Sequence, residues 1–202
     1  MKVLALAAMA IALSGAAARA ADPRYPDWPC TQAKVPEISL AAVWAGPPLD
    51  DIQNKWKDDA KVSALVAKLS ARKTSVDEAE KSVKEFLAAS ASDKTANAKL
   101  LFAGLFDTLN AQRSQVMSGL ERVSRKQREA ADKIREETLA LQALQGATPR
   151  DEAKVEAISN ELIWKTRIFE DRHKVVRFVC EVPTTIDQRL FALGRVIQQE
   201  ME

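Results

Sequence analysis

Six of the eight prolines in this chain crowd between Pro23 and Pro48, and the remaining two are Pro149 and Pro183. Proline locks φ and removes a backbone donor, so it is excluded from helix interiors. Its distribution predicts an extended arm over residues 21–48, followed by a body free to be helical. Composition agrees: 47% hydrophobic, 29% charged and only 5% aromatic residues describe alanine-rich amphipathic helices rather than a β-sandwich or an α/β enzyme. The expected fold class is all-α.

The N-terminus reads as an export signal. Met1-Lys2 is a short positive region, Val3 to Leu13 is apolar and uncharged, and Ala18-Arg19-Ala20 is a small-x-small cleavage pattern. The apolar run is shorter than the roughly 20 residues a bilayer span needs. Residues 1–20 are therefore expected to be a signal peptide cut after Ala20, delivering the protein to the periplasm. Removal takes away Lys2 and Arg19, leaving as many basic residues as acidic ones. That neutrality argues against a dedicated nucleic-acid binder and makes a membrane-surface role the least favoured option. In an oxidising compartment Cys30 and Cys180, the only cysteines, have one possible intrachain pairing.

Periodicity organises residues 49–202 as a bundle with a hairpin over about 94–181. Ile52, Trp56, Val62, Val66 and Leu69 predict a first helix over Asp50 to Arg72. Ser75 and Glu78 form a capping box for a second. The third has no proline from Lys94 to Gln145, so one long helix is expected, with a fold-back near Gly104 or Gly119 as the alternative. Gly146, Thr148 and Pro149 predict the stop, N-cap and restart. Val116, Leu120, Val123, Gln127, Ala130, Ile134, Thr138 and Leu141 form a heptad seam, matched beyond the turn by Val155, Ile158, Leu162, Lys165, Phe169, Arg172, Val176 and Val179. The two seams are expected to zip into an antiparallel coiled-coil hairpin. After Pro183, Thr184 or Thr185 is expected to cap a last helix.

Catalytic signatures are sparse. One histidine, His173, sits among charges, and no nucleophile elbow, glycine-rich phosphate loop, HExxH or EF-hand loop occurs. Two binding chemistries remain. Tyr25, Trp28, Trp44 and Trp56 gather much of the aromatic content near Cys30, either pinning the arm to the bundle or lining a groove for a partner. Asp50, Asp51, Asp58 and Asp59 on one helix would offer oxygen ligands to a hard cation, Ca²⁺ or a lanthanide, completed by water or a second protomer. Against that stands the ordinary preference of acids for helix N-termini. A further acidic cluster, Glu136, Glu137, Asp151, Glu152 and Glu156, falls near the hairpin tip, and a basic collar near its base.

The segments YPDWPC (Tyr25 to Cys30), KVPEIS (Lys34 to Ser39) and VWAGPP (Val43 to Pro48) resemble uncharacterised periplasmic helical proteins of alphaproteobacteria. The likeness covers about a tenth of the mature chain; it implies export and supplies no activity. The expectation is a non-catalytic periplasmic scaffold, without a cofactor, whose hairpin meets an envelope protein or a second copy. The alternative is a periplasmic metal-binding or delivery protein, with a metal-bridged dimer as one form.

Overall fold

A computed structural model describes residues 22–52, 54–90 and 93–201; the expected signal peptide and its cleavage site lie outside these. The structure is about 75% helical, with no strand among the described residues. They form α1 (Leu40–Val43), α2 (Ala60–Ser70), α3 (Val76–Ala88), α4 (Lys94–Gln145), α5 (Glu152–Val179) and α6 (Glu181–Met201). No helix among them is long and apolar enough to cross a membrane.

The first half of α4 is the axle of the core. Leu101, Phe102 and Leu105 have no exposed surface, and α2, α3 and α6 pack around them. The indole of Trp44 stacks on Phe102 at 4.3 Å, and its Nε1 donates to Pro47 O at 2.8 Å, so the end of the arm enters the core with its polar atom satisfied. Gly104 does not break α4. It is a notch, since a Cβ there would come within 2.7 Å of Val66 and 2.9 Å of Trp56. α4 also passes Gly119 unbroken, which decides between the straight and folded-back alternatives in favour of one helix of 52 residues.

Four boundaries differ from expectation. The helix predicted from Asp50 begins only at Ala60. Asp59 accepts from the backbone N–H of Lys61 and Val62 at 2.8 and 3.0 Å, Asn54 adopts a left-handed conformation (φ 68°), and Lys55–Lys57 form one 3₁₀ turn. A carboxylate cap outweighs the weak apolar period before it. The capping box of Ser75 and Glu78 stands as expected. At the hairpin turn Gly146 is right-handed, and Asp151, rather than Thr148, caps α5 by accepting from Lys154 N at 3.0 Å. The last break falls at Cys180. Pro183 lies in the first turn of α6, where a missing N–H costs nothing, and Thr185 Oγ1 donates back to Glu181 O instead of capping. Arg189 of α6 reaches across to donate to Leu69 O at 2.8 Å, satisfying a carbonyl at the C-terminus of α2.

Candidate interaction site on the hairpin

Beyond the core, α4 and α5 run on as an antiparallel pair. Gln127 Nε2 donates to Phe169 O at 3.0 Å across the pair, and Leu120 packs with Val176, close to the expected register. The seam is rotated from its predicted line. Val123, Thr138 and Arg172 face solvent, whereas Glu137 turns inward and, with Glu161, holds Lys165; these two carboxylates raise the lysine's proton affinity, the Glu137 hydrogen bond foremost. A long aliphatic stem under an ion pair fills the place an apolar residue would take.

The arm braces the base of this hairpin. Cys30 and Cys180 form a disulfide joining residues 150 apart, a bond that fits an oxidising compartment. Trp28 packs against Leu120, Val176 and Cys180, and its Nε1 donates to Gln32 O at 2.7 Å. Gln32 Nε2 in turn donates to Cys180 O at 3.0 Å. Asp27 bonds both Arg125 and Arg128, whose guanidiniums, Arg125 first, hold its carboxyl below the usual carboxylate range. Lys34 bonds Glu121 at 2.6 Å and lies 4.5 Å over the ring of Tyr25. Buried Arg113 donates to Val35 O at 2.6 Å and places Nε 2.7 Å from Asp187. That pair is close without hydrogen-bond alignment. Burial pushes the Asp187 carboxyl up, with Arg113 opposing it. The Val35 side chain is exposed, and its carbonyl does the anchoring.

The four aromatic candidates are thus dispersed. Tyr25 and Trp28 belong to the hairpin base, Trp44 is buried in the core, and Trp56 donates to Asp107 Oδ2 at 3.0 Å across the Gly104 notch. They pin the arm and the loop after it, and no common groove is made from them. The carboxylates fare differently. Asp51, Asp58 and Asp59 line one open cleft together with Asp93, which the sequence did not single out, while Asp50 stays outside it. Asp50 and Asp51 lie in a turn, Asp58 ends the 3₁₀ turn and Asp59 caps α2, so the four do not stand on one helix as expected. Lys99 holds Asp51 at 2.9 Å, Lys55 also lines the cleft, and Asp59 is engaged in capping. Among the described residues no group of three or more histidine, cysteine, aspartate or glutamate side chains is arranged to hold a metal ion. At the tip, Asp151 caps α5 and Glu152 pairs with Arg150.

What the structure leaves open to solvent is apolar surface on the hairpin. A groove of about 920 Å³ lies between α4 and α5, floored by Val116, Leu120 and Val176 and walled by Val123 and Val175. Arg122, Lys126 and Arg172 rim it, with Asp171 the only acid among the lining side chains. Beside the groove α5 exposes Trp164, Val175 and Phe178 to 62%, 59% and 78%. These three were missed as candidates because attention to the inner seam of α5 hid a second one. Their spacing of eleven and three residues places them on one helix face, which was readable in the sequence. No family model, curated protein or solved structure matches this chain.

Proposed function

We propose that the protein is a non-catalytic periplasmic interaction module, exported by the signal peptide at residues 1–20 and cut after Ala20, whose hairpin is a docking surface for another helical element. The observation that carries this reading is the exposed apolar face of α5 beside the groove, on a helix pair whose base is fixed by a disulfide and three arm-to-helix ion pairs. An exposed apolar stripe that carries Trp164, Val175 and Phe178 on a braced helix pair suits protein recognition. The core carries no comparable run. The metal-delivery alternative draws only on the Asp51, Asp58, Asp59 and Asp93 cleft, in which Lys55 and Lys99 already supply positive charge.

A photo-crosslinking residue placed at Val123 or Trp164, and as a control at Lys81 on α3, tests the reading in cells exporting the protein. A discrete adduct from the hairpin positions and none from Lys81 is expected. Adducts absent from the hairpin, or equal from all three positions, would overturn it.

A further inference from the structure

The outward face of α5 continues beyond its three large side chains. Ile168 and Asp171 fall between Trp164 and Val175, while Ala153, Ala157 and Asn160 carry the stripe toward the tip. Steps of three and four residues run throughout, the spacing of a coiled-coil seam. Toward the tip this one is exposed, toward the base Ile168, Asp171 and Val175 border the groove that α5 makes with α4, and it is graded. Its tip end is small, and its base end is bulky and exposed.

From this grading we infer that the occupant of the face is a second copy of the same chain, docked antiparallel along α5 about a two-fold axis near Lys165 and Thr166. The inference rests on the hairpin being a docking surface and names its partner. In that register Phe178 lies opposite Ala153 of the second copy, Val175 opposite Ala157, Asp171 opposite Asn160 and Ile168 opposite Trp164. Each large side chain meets a small one, or another at the centre, and the one carboxylate meets an amide that can donate to it. By two-fold symmetry every contact occurs twice, over about 39 Å of helix.

Charge selects the same register. On a helical wheel Glu156 and Lys174 flank the stripe on one side and Glu161 and Arg172 on the other. Antiparallel docking brings Glu156 beside Lys174 of the second copy and Glu161 beside its Arg172. A parallel arrangement would stack like on like. Within one chain Glu161 already bonds Lys165 at 2.6 Å through Oε1 and Lys174 bonds Asp171 at 3.1 Å, so the other oxygen of Glu161 and the remaining N–H donors of Lys174 serve the new pairs. Arg167 meets its own copy near the axis, a repulsion offset by guanidinium stacking on the neighbouring indoles. The groove rim, with Arg172 between Val123 and the stripe, lies along the edge of this contact.

The decisive experiment is a charge exchange followed by light scattering on the whole exported, oxidised chain from about 1 to 200 μM. Glu156 and Lys174 are about 27 Å apart along one helix and can meet only between copies. The native chain should run as a dimer. Lys174→Glu should weaken dimerisation at least tenfold, and adding Glu156→Lys should restore it, with far-UV circular dichroism unchanged throughout. A monomer at every concentration would overturn the proposal, as would a dimer indifferent to Lys174→Glu or one that the double variant fails to restore. Crosslinking separates this failure from that of the docking reading: an adduct at twice the chain mass supports the second copy, whereas a heteromeric adduct from a monomeric chain retains docking and discards the dimer.

Discussion

The two halves of α4 live in different surroundings. Along Ala98 to Leu109 the helix is wrapped by α2, α3 and α6, and six of its side chains are sealed from solvent or nearly so: Ala98, Leu101, Phe102 and Leu105 at 0%, Leu109 at 1% and Ala103 at 6%. Beyond Leu120 its helical neighbour is α5, whose deepest residues, Val155, Leu162 and Val176, retain 6%, 8% and 9% exposure. A helix surrounded on all sides gains its stability from apolar burial. A helix covered on one side keeps a second face available, and the arm supplies polar and covalent ties where burial is thin.

The contrast can be broken most forcefully in the core. Phe102→Ala removes the ring that Trp44 stacks on and should cost about 3–5 kcal/mol, read as a fall in thermal midpoint of the whole cooperative transition. Reduction of the Cys30 to Cys180 bond should cost about 2–4 kcal/mol, the range usual for such bonds and below the roughly 5 kcal/mol that chain entropy alone sets for residues 150 apart. Hydrogen exchange should then rise first in residues 22–34 and at the α5–α6 junction, before α2 or α3 respond. Equal loss of protection in core and arm would show that the two regions melt as one unit.

Acid gives the smallest and most local effect. Asp27 has its carboxyl held below the usual range by Arg125 and Arg128, so its contribution is complete above the unfolded-state value near 3.8 and is lost as pH falls through the lower folded-state value. Arm protection in the native chain should therefore persist at pH 4 and fade below it. Asp27→Asn should loosen the arm already at neutral pH and abolish that acid step. An unchanged pH profile in the variant would assign the anchoring to Trp28 and the disulfide alone.

Much of the architecture was legible because its signals are local and strong. The proline cluster marked the arm, Ser75 with Glu78 marked α3, and the pairing of Cys30 with Cys180 followed from there being no other cysteine. Two of the failures share a cause: competing caps. Asp59 and Asp151 each offered a carboxylate to backbone N–H groups, and each displaced a start assigned from periodicity or from Thr-Pro chemistry. Pro183 misled because its position relative to the helix start decides whether it breaks or begins a helix. The candidate site was read less well. Tryptophans near the arm drew attention, although Trp44 is spent on the core, while Trp164 stood in a helix whose inner heptad was already explained. Exposure distinguishes the two, and exposure depends on which neighbours a helix acquires.

Because α4 is unbroken for 52 residues, core and tip share one rod of about 78 Å. The pivot sits where Asp27 and Lys34 grip it through Arg125, Arg128 and Glu121. A sideways load at Leu139 or Leu144 is thereby a torque on the buried end. It would be felt at Gly104, where Trp56 and Val66 leave the rod no clearance.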